Sequence, residues 1–185
     1  MSAMVAEVAV TDKRINHVLV VIAMEAEAAP LLTRLNLSIL PSISPNAPCI
    51  MYSGSYKDCT VSIVTNGKCG KHGVDNVGTV PASLSTFLAV HQLKPDLIIN
   101  AGTAGGFQKK GAMIGDSFIC SQMANHDRRI PIPGFTDYGT GCYDAFPTPN
   151  IILVSITYQY RIISFRNFTK TSASYCIYCY NCNFA

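Results

Sequence analysis

Apolar and polar positions fall along the chain in blocks whose periods predict alternating strands and helices. His17–Ala23 is a Val-rich run of seven, followed at once by Met24–Leu35, where Ala and Leu recur among charged residues at helical spacing. This reads as a buried strand feeding a helix. Three prolines and two serines between Pro41 and Pro48 mark a loop. Cys49–Tyr56 and Cys59–Thr65, alternating or continuously apolar around Lys57-Asp58, predict a hairpin, and Val74–Gln92 predicts a helix despite Pro81. Leu97–Asn100 is a short apolar strand, Gly102-Thr-Ala-Gly-Gly106 reads as a tight glycine turn, and Gly115-Asp116 introduces another strand at Ser117–Ser121. Strands alternating with helices argue for an α/β domain around a largely buried, partly parallel sheet. In such sheets ligands sit at the carboxyl ends of strands, where the glycine segment falls.

Composition adds a boundary. The chain has 185 residues, 49% apolar and 14% charged, which excludes a disordered or coiled-coil protein. All eleven acidic residues lie at or before Asp144, and residues 1–150 carry eleven charges of each sign, which is not the balance of a nucleic-acid binder. The last 35 residues contain none of the thirteen Gly but eight of the seventeen Tyr and Phe. Three segments are therefore expected: an N-terminal extension over 1–16, a domain over 17–150 and a dissimilar tail over 151–185. No secretory pattern opens the chain, and its longest apolar run, Val18–Met24, is far short of the roughly 18–20 residues that span a bilayer. A soluble, cytoplasmic protein with no membrane partner is expected. Cys49, Cys59, Cys69, Cys120 and Cys142 then read as reduced, buried thiols. Cys176-x-x-Cys179-x-x-Cys182 lacks a second ligand pair, so no metal site is expected.

Candidate chemistry concentrates at two places. Glu25 and Glu27 follow directly on a buried strand, at a helix N-terminus. A carboxylate there either complements the helix dipole or faces a cleft. The glycine segment lacks the G-x-G-x-x-G spacing, an acidic ribose ligand and the Lys-Ser/Thr of a phosphate loop, which argues against dinucleotide and nucleotide cofactors. It leaves a backbone that can approach a ligand closely, with Thr103 supplying a hydroxyl.

Four stretches in order, Val21-Ile-Ala-Met-Glu-Ala-Glu-Ala28, Val77-Gly-Thr-Val-Pro-Ala-Ser83, Lys94–Phe107 and His126-Asp-Arg-Arg-Ile-Pro-Ile-Pro133, resemble the 5'-methylthioadenosine/S-adenosylhomocysteine nucleosidases, in their plant form. The resemblance covers about residues 17–150. It implies a three-layer nucleoside phosphorylase-like α/β fold with a central mixed sheet, a thionucleoside substrate, hydrolysis of its N-glycosidic bond to adenine and a thioribose within methionine salvage, a homodimer, and no cofactor. By motif position it makes Glu27 the water-activating carboxylate, Met24 a pocket residue near the sugar, and Thr103, Ala104 and Gly105 the lining of the nucleoside pocket. Phe135 would help cover the alkylthio end from a neighbouring subunit. The family also uses a Glu that grips the ribose hydroxyls and an Asp that protonates the purine. The chain has Glu only at positions 7, 25 and 27, and its Thr136-Asp137 pair falls too early for the purine acid. The domain is therefore expected to be incomplete at its C-terminus, truncated after residue 150, weak or inactive, marginally stable and prone to associate, with the tail translated from a retained intron or a shifted frame. Two alternatives stay open: a related phosphorylase using Lys68 and Lys71 to hold phosphate, and a non-catalytic partner that forms a heterodimer with a full-length subunit.

Overall fold

The computed structural model of the chain describes residues 14–105, 107–119, 122–125, 128–141, 143–144 and 173–181. Gly106, Cys120, Cys142, the His126-Asp127 pair, residues 1–13 of the extension and most of the tail lie outside the described residues.

Strand β1 (His17–Ile22) leads into helix α1 (Glu25–Leu35), followed by β2 (Ser38–Ile39), β3 (Ile50–Tyr56), β4 (Cys59–Thr65), α2 (Thr79–Leu93) and β5 (Leu97–Gly105). Beyond a one-turn 3-10 helix at Gln108–Lys110 come β6 (Ser117–Ile119), β7 (Gln122–Met123), α3 (Thr136–Thr140), β8 (Tyr143–Asp144) and β9 (Ala173–Asn181). Seven strands form one mixed sheet in the order β2-β3-β4-β1-β5-β9-β6. At its centre β1 runs parallel to β4 and β5, with Val20 opposite Ile63 on one side and Ile99 on the other. The hairpin β3–β4 turns at Lys57, which adopts a left-handed φ of 54°, and β2 extends it antiparallel.

Alternate side chains of β1 define the three layers. Leu19 and Val21 point to the face covered by α2, where they meet Met51, Val64, Ile98 and Ala89. Val20 and Ile22 point to the other face, where Ala28, Leu31, Leu32 and Leu35 of α1 pack with Val61 and Ile63. Burial on both faces is why β1 reads as an unbroken apolar run. Helix α1 ends because Asn36 turns left-handed (φ 49°) and its backbone N–H returns to Leu32 and Thr33 carbonyls, a common terminator.

Three readings need correction. The glycine segment is not a tight turn: β5 continues as a strand through Gly105. The whole of β5 pairs antiparallel with β9, from Leu97 opposite Asn181 to Gly105 opposite Ala173. The helix expected from Val74 begins at Thr79, because Gly78 (φ 115°) is outside helical space and Asp75 and Asn76 are engaged in the preceding loop. Pro81 is tolerated because it lies in the first turn, where its missing N–H would have had no helical acceptor. Of the cysteines expected to be buried, Cys49 is, while Cys59 and Cys69 are half-buried and free. Among the described residues no helix is long and apolar enough to cross a membrane.

Candidate functional site

The carboxyl ends of the parallel strands meet at one edge of the sheet, and the chain places Glu27 there. Leaving β1, it passes through Ala23 and the extended Met24 (φ −114°, ψ 142°), then turns into α1, so that Glu27 stands in the first helical turn. The Met24 carbonyl accepts the Ala28 N–H at 3.2 Å, which makes Met24 the N-cap residue by backbone alone, with no side-chain cap.

From the neighbouring strand, Thr103 gives two hydrogen bonds to one carboxylate oxygen of Glu27: its backbone N–H to Oε1 at 2.8 Å and its hydroxyl to the same atom at 2.6 Å. Gly102, the residue before Thr103, lies beside the acid: a Cβ there would stand 3.6 Å from both Glu27 carboxylate oxygens, an ordinary van der Waals contact. Oε2 receives neither Thr103 bond and remains an acceptor for a water or a ligand hydroxyl. Glu27 is half-buried and Thr103 exposed, so the pair opens to solvent.

Glu25 points to a different partner. Its carboxylate pairs with Lys68 Nζ at 2.7 Å, and its backbone N–H donates to Asp75 Oδ1 at 3.3 Å. The Glu25 carboxylate raises the proton affinity of Lys68 through their hydrogen bond and charge. Burial, and then the same negative charge, push Tyr52 up. Lys68 is thus held by an acid, and Lys71, the other lysine considered for phosphate, is exposed in the same loop.

Of the residues expected at the site, the structure brings Glu27 and Thr103 into contact. Met24 starts the same helix, and Ala104 and Gly105 continue the same strand, both half-buried. Phe135 belongs to another local cluster, at the start of α3, where it meets Tyr138 edge-on with ring centroids 6.0 Å apart. Residue patterns did not single out Asp75, and Gly102, read as the opening of a turn, lies inside β5.

A family model described as the phosphorylase superfamily matches residues 17–164. The chain belongs to the phosphorylase superfamily. Within that superfamily it is 50% identical over 140 residues to a 5'-methylthioadenosine nucleosidase of Arabidopsis thaliana, covering 75% of this chain and 52% of the relative. It is 47% identical over 145 residues to a 5'-methylthioadenosine/S-adenosylhomocysteine nucleosidase of the same plant, covering 77% and 57%. The solved apo structure of the Arabidopsis 5'-methylthioadenosine nucleosidase superposes with a TM-score of 0.75 at 46% identity, over 82% of this chain and 62% of that one. A Helicobacter pylori nucleosidase shares the superfamily fold at 14% identity, with a TM-score of 0.63 over 82% of this chain and 63% of that one. The chain thus spans about half the length of the curated relatives it matches.

Proposed function

We propose that the chain carries the water-activating half of a nucleosidase site that splits the N-glycosidic bond of 5'-methylthioadenosine or S-adenosylhomocysteine, releasing adenine and a thioribose. The carrying observation is the Glu27–Thr103 pair beside Gly102. Departure of adenine leaves positive charge on the sugar ring, and water must attack its anomeric carbon. A carboxylate facing that carbon accepts the proton from water and stabilises the cation. Thr103 fixes Oε1, which directs Oε2 toward the water and avoids reorientation during reaction. Met24, Ala104 and Gly105 line the nucleoside pocket in this reading.

The other half of the chemistry needs a Glu on the ribose hydroxyls and an acid on the purine. The remaining glutamates are Glu7, in the N-terminal extension, and Glu25, which is paired with Lys68. The 185-residue chain by itself therefore turns over weakly, since a positioned general acid is worth about 10²–10⁴ in rate.

The site works in a homodimer, with Phe135 reaching across the interface, in cytoplasmic methionine salvage. Supporting the dimer, Val80, Leu84 and Phe87 on α2 are 77%, 48% and 68% exposed and recur at helical spacing, an apolar stripe that a second copy would cover. The test is adenine release from methylthioadenosine at high protein concentration in phosphate-free buffer, beside E27Q. The reading predicts a trace release that yields free methylthioribose and falls further in E27Q. Release that requires phosphate, or that E27Q leaves unchanged, would sink it.

A further inference from the structure

Helix α1 begins without a cap of its own. Met24 offers no side-chain acceptor to the amides of the first turn, which have no partner inside the helix. The acceptor comes from 50 residues away: Asp75 Oδ1 takes the Glu25 N–H at 3.3 Å. Aspartate is among the best acceptors at such a position, and its charge suits the helix dipole.

Asp75 can do this because its loop is fixed from below. Asn66 and Ser85 are each 2% exposed. The Asn66 side chain donates to the Asn76 carbonyl at 2.8 Å, that of Asn76 returns to the Asn66 carbonyl at 3.3 Å, and Ser85 Oγ donates to Asn66 Oδ1 at 2.6 Å. The Asn76 N–H closes onto the Gly67 carbonyl at 2.8 Å. Buried polar groups satisfied in this way specify one arrangement, because any shift strands a donor or acceptor away from water. The residue next to this ring is the one that holds α1, and Lys68 of the same loop adds the ion pair with Glu25. Two residues further along the helix stands Glu27.

We propose that Asp75 is a positioning residue for Glu27, a cap supplied from a distant loop of the same chain that sets where the first turn of α1 stands and thereby holds the carboxylate against Thr103. Its consequence for chemistry rests on the proposed role of Glu27, but the contact can be tested without turnover. In the 15N-labelled chain the Thr103 amide resonance reports the Glu27 hydrogen bond, and E27Q identifies the direction in which it moves when that bond is altered. D75A is expected to move the resonance in the same direction, whereas D75N, which keeps a side-chain carbonyl acceptor, leaves it near the wild-type position. In the E27Q background D75A adds little, since the contact it acts through is already changed. A D75A spectrum with Thr103 in place, or a D75A shift of equal size with and without E27Q, overturns the proposal. Should D75A fail to fold, hydrogen exchange in the unsubstituted chain decides: the Glu25 amide is protected well beyond its intrinsic rate if Asp75 holds it, and an unprotected amide refutes the cap. Failure of E27Q to lower adenine release, with these shifts intact, would remove the catalytic reading and leave the cap standing.

Discussion

Replacing Gly67 by alanine isolates the constraint that places the loop over the sheet edge. Gly67 has φ +69°, and a Cβ there would lie 1.7 Å from the Pro48 carbonyl oxygen and 2.6 Å from its carbon. Gly73, in the same loop, has almost the same φ, +68°, with nothing within 4 Å of its Cβ. The left-handed conformation costs an L-residue about 1–2 kcal/mol, and both substitutions incur that term. Only G67A adds the steric one, where backbone rather than a flexible side-chain end must yield; overpacking of this kind costs typically about 1–3 kcal/mol. The expected loss is therefore about 2–5 kcal/mol for G67A against about 1–2 kcal/mol for G73A. Urea unfolding followed by far-UV circular dichroism checks this, with the midpoint falling further in G67A and the slope unchanged in both. Equal midpoints for the two variants would refute the reasoning, since it would mean that Pro48 moves away freely.

Other outcomes follow from the same contacts. Burial of His17, only partly offset by Asp96 and a backbone hydrogen bond, lowers its proton affinity, so the folded state binds the proton less readily than the unfolded state. Stability from the neutral ring is present above the ordinary histidine range and is lost as pH falls from about 6.5 through the lower folded value. Melting temperatures should therefore fall across that window, and H17N should flatten the slope. S85A removes the donor to buried Asn66 Oδ1 and is expected to cost about 1–3 kcal/mol in denaturant unfolding, against near neutrality for exposed Ser83. L84E with F87E places charge on the exposed stripe of α2 and should shift sedimentation toward monomer; an unchanged association state would exclude this face as the interface.

How much the sequence disclosed depended on whether a feature was local. Strand β1, helix α1, the β3–β4 hairpin and the start of β5 follow from apolar periodicity and punctuation, because each satisfies its own burial pattern. The course of Gly102–Gly105 was misread because glycine clusters signal turns, whereas here the strand continues through them and Gly102 lies beside a carboxylate from another element. That Glu27 and Thr103 meet could not be read from spacing, since they are 76 residues apart and join only when β1 and β5 pair in register. Family resemblance supplied both names; the hydrogen bonds between them come from the fold. Helix α2 shows the opposite limit. Its apolar residues lie on two sides, one covering Leu19, Val21 and Val64 and the other facing solvent, so periodicity could not assign it a single buried face. Strand β2, two residues long, and β9, in a tail without clear alternation, gave no signal strong enough to place them.

The central proposal is that these 185 residues hold a water-activating carboxylate and not the ribose grip and purine acid that complete the reaction. Adenine release by the folded chain, measured beside the Arabidopsis 5'-methylthioadenosine nucleosidase under identical conditions, tests it most directly. The account predicts a rate below the relative's by about 10²–10⁴ or more, the loss expected when a positioned general acid is missing. A rate within tenfold of the relative would contradict it, and would mean that other groups in this chain supply both missing contacts.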